Sequence, residues 1–339
     1  MRVGTIVGFQ NPVPWRVDWT ELYSSTLEFV REAERLGFDQ VWLTEHHFAD
    51  DGYCPALLPV AAAIAAQTSR IRIGTKVLLM PFHDPLRLAE DAAVVDVISG
   101  GRLELGIAAG YRREEFSGFG IDRAERAART REGVAALERA LTGDIFCFDG
   151  RFSRYESARV SPPPVQSPVP IWMGGRSSTA IKRAAAMGYH LALADFDEEL
   201  CVADCRAYAE ALIEHGRNPG EHRVVAVTSL FVDEDPERAR AMAAPHIRYQ
   251  QGQYQRWFGE ASDRRPEPLA ADQTADLPSG CLVGTPEHVL EAIKAARARM
   301  RFTDFSFWTL LPGMALDTAL PSLELFAERV LPALREECP

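Results

Sequence analysis

Short apolar runs of strand length alternate with segments whose apolar residues recur at helical spacing, from the first residues of the chain to its last. Such alternation demands parallel strands joined by crossover helices. The runs at 2–9, 40–44, 71–79, 103–108, 171–173, 189–194, 224–232 and 305–310 supply eight strands. Between the first two, Leu22, Thr26, Phe29, Val30, Ala33 and Leu36 share one helical face, and Gly37 provides the stop. Asp84-Pro85, a cap followed by proline at the first helical position, opens a helix that ends at Gly100-Gly101. Further helices are predicted over 123–141, 177–187, 286–300 with Thr285 as cap, and 317–334. The rhythm breaks at 145–155, a hairpin around Asp149-Gly150, and at the proline-rich connector 162–170, then resumes. The pattern therefore predicts an α/β fold, a (β/α)8 TIM barrel with insertions, as a single domain over 1–339. Its longest insertion, 234–300, is helical at both ends and polar and irregular near 259–281, which reads as a lid.

Composition narrows the function. A balance of 47% hydrophobic and 25% charged residues suits a globular chain with a sizeable core. The formal charge of -11 argues against a surface that holds a nucleic-acid backbone. With no apolar run of membrane-spanning length and no leader-like start, the protein is expected in the cytoplasm, without a membrane partner. Six cysteines, at 54, 147, 201, 205, 281 and 338, lack the spacing of a zinc ribbon or disulfide framework and read as reduced thiols.

Three places could carry chemistry. The second strand ends in Thr44-Glu45-His46-His47-Phe48, and the carboxyl ends of barrel strands are where catalytic side chains gather. Neighbours on a strand point opposite ways, so His46 and His47 do not readily share one metal ion, and no metal is expected. An acid/base role and a hydrogen-bonded core role both remain open for them. The fifth strand runs into Gly174-Gly175-Arg176-Ser177-Ser178-Thr179 and a helix, which suits an anion and equally suits a capped glycine turn. The fourth strand continues as Gly106-Ile107-Ala108-Ala109-Gly110-Tyr111, whose small residues leave room for a flat ring against the backbone.

Taken together, EHHF at 45–48, the stretch at 74–111, PIWMGGRSST at 170–179 and the closing LELFAE at 323–328 resemble the bacterial luciferase-like, flavin-dependent oxidoreductases. The resemblance implies a barrel, often a homodimer, that binds FMN or a deazaflavin at the open strand ends. In the flavin branch a separate NAD(P)H:flavin reductase supplies reduced FMN, which with O2 oxygenates a small organic substrate. It implies that His46 is the acid/base, with His47 beside it. Thr75, Lys76 and Val77 flank the ring with a cis peptide at 76–77, and Gly110 and Tyr111 adjoin it. Gly174, Gly175, Arg176, Ser177, Ser178 and Thr179 hold the phosphate. Light-emitting members have a cysteine where this chain has Ala108, and many have a phosphate-binding arginine where it has Ala109; Arg176 is the expected replacement. Phe48, Tyr53, Phe82, Tyr111 and Trp308 are candidate walls of a dry substrate pocket. The rival readings are a deazaflavin-dependent oxidoreductase, a non-catalytic flavin-binding relative and a metal-dependent barrel hydrolase.

Overall fold

In a computed structural model that describes residues 1–175, 177–193, 198–261, 277 and 280–337, eight parallel strands close on themselves. They are β1 (Arg2–Val7), β2 (Gln40–Leu43), β3 (Arg72–Thr75), β4 (Leu103–Ala108), β5 (Ile171–Gly174), β6 (His190–Ala192), β7 (Val224–Val232) and β8 (Asp304–Trp308). Each pairs with the next, and β8 returns to β1 with Arg2 opposite Asp304. Every residue of β2 and β4 is buried, because a parallel strand is covered by helices on one face and by the barrel interior on the other. That double burial is why the strands read as near-continuous apolar runs rather than alternating ones.

The helices are α1 (Trp19–Arg35), α2 (Leu57–Gln67), α3 (Pro85–Ser99), α4 (Arg113–Gly118), α5 (Arg126–Leu141), α6 (Ser178–Met187), α7 (Glu198–Glu214), α8 (Pro236–Ala261), α9 (Pro286–Met300), α10 (Leu316–Arg329) and α11 (Leu331–Glu337). The punctuation read from the sequence acts as expected. Asp84 accepts the amides of Leu86 and Arg87 at the start of α3, Thr285 caps α9, and Gly100 closes α3 in the left-handed region at φ 67°.

Several elements differ from expectation for physical reasons. The third strand is not continuous over 71–79: it stops at Thr75, the Lys76–Val77 peptide is cis, and Leu78–Leu79 then pairs separately with Ile107 and Ala108. Strand β8 ends at Trp308, and the last helix divides near Val330, where Pro332 has no amide to continue the ladder. The expected hairpin forms, with 146–149 antiparallel to 154–158. Within 234–300, α8 and α9 are helices of the barrel's outer layer, and Leu282–Gly284 adds a strand beside Leu230–Val232. Most of the polar stretch expected as a lid, 262–276 with 278 and 279, lies outside the described residues.

The two ends of the barrel carry different chemistry. At the amino-terminal ends, Glu104 of β4 accepts Arg223 Nη1 at 3.0 Å and Trp172 Nε1 at 2.7 Å, and also pairs with Arg72 and Arg2. Arg223, whose Cζ lies 4.7 Å from the Trp172 ring, reaches across to Asp304 of β8. This buried ion network plugs the bottom. Buried charge at that end serves stability in such barrels, whereas reactivity belongs to the opposite end.

Candidate active site

The chain leaving β2 buries Glu45, His46 and His47 in succession and then turns through Phe48, whose φ of 55° is left-handed. His46 Nδ1 lies 2.8 Å from Oε1 of Glu115, a fully buried residue of α4. The same oxygen accepts the His47 amide at 3.0 Å. Arg112, at the head of α4, donates to the His47 carbonyl at 2.7 Å and reaches Glu115 Oε1 at 3.4 Å. A carboxylate at Nδ1 makes that nitrogen the donor and leaves Nε2 as the acceptor. Nε2 faces the Tyr111 hydroxyl at 3.5 Å, the outer limit of a hydrogen bond. Around the imidazole stand Trp257 at 4.6 Å, Tyr53 at 4.8 Å, Tyr111 at 5.7 Å and Tyr254 at 6.1 Å between ring centroids.

His47 turns the other way, as adjacent residues of extended chain must. Its Nε2 lies 2.7 Å from Glu45 Oε1, which His83 also approaches at 3.3 Å, while the Leu79 amide donates to Oε2 at 3.2 Å. Burial alone would raise the Glu45 carboxyl, but the bonds and charge from His47 and His83 outweigh it and hold the group below its usual range. Phe82 and Phe119 pack on this second imidazole, at 5.7 and 4.8 Å.

The wall beside His46 comes from α8, whose inward face carries Gln250, Gln253, Tyr254 and Trp257 at helical spacing. Buried Asp51 fixes it: one carboxylate oxygen accepts Gln10 at 2.8 Å, Gln253 at 3.1 Å and Tyr249 at 3.1 Å. The Tyr53 and Tyr254 hydroxyls meet at 2.6 Å, Tyr111 stacks on Phe258, and the Arg112 guanidinium lies 4.2 Å from the Trp257 ring.

Of the expected substrate walls, the structure thus brings Tyr53 and Tyr111 to His46. Phe82 belongs to the His47 side. Phe48 is 58% exposed and packs on Gly118 and Phe119, so it stands outside this aromatic box. Trp308 lines a separate cavity with Gly8, Gln10 and Leu311.

The expected cofactor residues cluster where β3, β4 and β5 end. The Thr75 hydroxyl is committed to the backbone of Gly106, donating to its carbonyl at 2.8 Å and accepting its amide at 2.9 Å. A Cβ at Gly106 would fall 1.9 Å from the Thr75 carbonyl oxygen, and one at Gly174 would fall 2.7 Å from Val77 Cγ1. Both glycines are thus required for the segment after β3 to pack closely against β4 and β5, which draws the three strand ends together. Gly110, at φ 71°, turns the chain so that Tyr111 meets His46. Ser177 caps α6 by accepting the Ala180 amide, and Ser178 and Thr179 open that helix exposed to solvent, a position suited to an anion. Gly175 precedes them; Arg176 lies outside the described residues.

Sequence reasoning missed Glu115, Arg112, Asp51 and the inward face of α8. The i, i+3, i+4, i+7 pattern of 250, 253, 254 and 257 was the one available signal for the last of these.

A closed β/α-barrel with a buried histidine–carboxylate pair at the carboxyl ends of its strands has the layout of a barrel enzyme. The chain belongs to the luciferase-like monooxygenase family, whose sequence model matches residues 1–303. It is 27% identical over 333 residues to the oxygenase component of the flavin-dependent trigonelline monooxygenase of Acinetobacter baylyi, covering 93% of this chain and 91% of that one. It is 24% identical to the alkanal monooxygenase alpha chain of Aliivibrio fischeri, covering 89% and 90%. Among solved structures, monooxygenase RslO1 from Streptomyces bottropensis superposes with a TM-score of 0.86 at 27% identity, over 98% of this chain and 99% of that one. The fold is also shared, at 18% identity and a TM-score of 0.75, by the coenzyme F420 dependent tetrahydromethanopterin reductase of Methanopyrus kandleri, over 98% of each chain. Among the described residues, no helix is long and apolar enough to cross a membrane.

Proposed function

We propose that the chain is the oxygenase component of a two-component monooxygenase that uses reduced FMN, supplied by a separate NAD(P)H:flavin reductase, and O2 to oxygenate a small organic substrate. The observation that carries this reading is the His46–Glu115 pair, whose Nε2 is held as a base inside an aromatic box at the strand ends. The oxygenase component named above, similar over nearly its whole length, supports it. The ends of β3 to β5 would hold the flavin ring, and the first turn of α6 with Ser177, Ser178 and Thr179 would hold its phosphate.

When bound, the flavin supplies the electrons that activate O2. The chain's own residues do the rest. Glu115 fixes the His46 tautomer, so Nε2 takes or returns the proton at the reacting face. Tyr53, Tyr254 and Trp257 keep water from that nitrogen. Glu45 and Arg112 hold the two-histidine segment in place from behind.

The test is to titrate the protein without oxygen against photoreduced FMN and reduced F420 in parallel, then admit O2. Tighter binding of reduced than of oxidised FMN, followed by oxygen consumption, is the expected result. Binding of reduced F420 alone would overturn the FMN reading in favour of hydride transfer.

The same reading includes a homodimer. Helix α3 leaves Val94, Val97 and Ile98 exposed at i, i+3, i+4, an apolar stripe that follows the exposed ion pairs of Arg87 with Glu90 and Asp91 on the same helix. Val97→Glu is expected to convert a dimer to a monomer in sedimentation velocity; a wild-type chain that sediments as a monomer sinks the idea.

A further inference from the structure

Lys76 follows β3, yet its ammonium donates to the carbonyl of Leu193, the residue after β6, at 2.5 Å. Strands β4 and β5 stand between β3 and β6 in the barrel. A lysine stem is too short to pass round them on the outside, so it crosses the barrel at the level of the strand ends. The next residue, Val77, packs against Gly174 at the end of β5, so the crossing starts beside the strand ends described above.

Neither imidazole pair uses this amine. Among the described residues no carboxylate pairs with this half-buried amine, and a carbonyl dipole is a weak substitute for a counter-ion. The titratable group that faces it is Cys201 of α7, whose thiol is itself buried. An anion arriving at the strand ends would complete the missing charge pair. Reduced FMN offers two: its phosphate monoester, and its ring, which loses a proton readily.

We infer that Lys76 is the counter-cation of the bound flavin, so that an anionic cofactor and a protonated Lys76 amine stabilise each other. The inference rests on the flavin reading above. It predicts coupling between binding and protonation. Desolvation pushes the free amine down to about 8, with Cys201 opposing the shift, so close to half of the chains hold it neutral at that pH. Binding an anion then draws in a proton.

Calorimetric titration in two buffers of different ionisation heat measures that proton. FMN and riboflavin are each tested oxidised and reduced, at pH 8 and pH 6.5, against wild type, Lys76→Met and Lys76→Arg. Wild type is expected to take up a fraction of a proton more per FMN than Lys76→Met at pH 8, a comparison that cancels any proton the cofactor itself exchanges, and the difference should shrink at pH 6.5. Lys76→Met should bind FMN about ten-fold more weakly or worse, without this extra uptake. Lys76→Arg should bind within a few-fold of wild type, also without the extra uptake, and it decides the matter if the methionine variant fails to fold. Uptake with oxidised FMN but not oxidised riboflavin assigns the partner as the phosphate. Uptake with riboflavin only after reduction assigns it as the ring. Equal affinity and equal uptake in Lys76→Met and wild type would overturn the inference while leaving the flavin reading intact. Wild type that binds no FMN in either redox state would overturn both.

Discussion

His46→Asn is expected to lower the rate of substrate oxygenation by about 100- to 10,000-fold, the range ordinary for a lost general acid/base, while leaving flavin affinity within a few-fold of wild type. The replacement keeps a polar side chain that can still meet Glu115, so the packing of α4 against the strand end survives. Glu115→Gln should lose about 10- to 100-fold although it never reaches the substrate. A carboxylate accepts from Nδ1 and fixes Nε2 as the base; an amide can instead donate to Nδ1, which moves the ring proton to Nε2 and points the wrong nitrogen at the reaction. The two changes act on one nitrogen, so the double variant should be no slower than His46→Asn alone. Single-turnover rates and the share of oxygen released as peroxide measure both effects. Fully additive losses would mean that Glu115 works independently of His46, and normal oxygenation in His46→Asn would remove the imidazole from the chemistry.

The eight strands and most of the caps were legible because they depend on local spacing: apolar runs of strand length, Asp84-Pro85, Thr285 and Gly100 each declare themselves within a few residues. Helix α2, by contrast, was invisible. LLPVAAAIAAQ is apolar on nearly every face because six of its residues are buried, so it shows no amphipathic period. Glu115 was illegible for another reason. It lies 69 residues beyond His46 on a short helix, and only barrel closure tells which of the many acidic residues meets the imidazole. The tie between Asp51 and Gln253 spans 202 residues and has no sequence signature at all. Lys76 was read as a flank of the ring from the family resemblance; that its amine spans to β6 is a property of the closed barrel alone. The cis peptide at 76–77, implied by family resemblance, is present.

Glu104→Gln is expected to cost about 3 kcal/mol of stability near neutral pH, with catalysis unchanged at temperatures where the variant stays folded. Glu104 is 1% exposed and answers the charges of Arg223 and Arg72 and the indole of Trp172. An amide in its place leaves Arg223 with Asp304 as its counter-charge and Arg72 with none among the described residues. The cost falls at the lower end of the buried-pair range because Arg2 and Arg72 reach water. The pH dependence has a definite sign. Burial would raise the carboxyl, but Arg223 and Arg72 outweigh it and hold it below the ordinary glutamate value. A group whose pKa is depressed by folding contributes its full stabilisation above its unfolded value, about 4.3, and loses it as pH falls through the folded value. The gap between wild type and Glu104→Gln in urea denaturation should therefore be widest at neutral pH and close in acid. Because this network fills the amino-terminal end of the barrel and the His46–Glu115 pair the other, stability should fall without a change in single-turnover rate. Wild-type stability in the variant would mean that the buried carboxylate barely offsets its own desolvation; a slower reaction would mean that the two ends of the barrel are coupled.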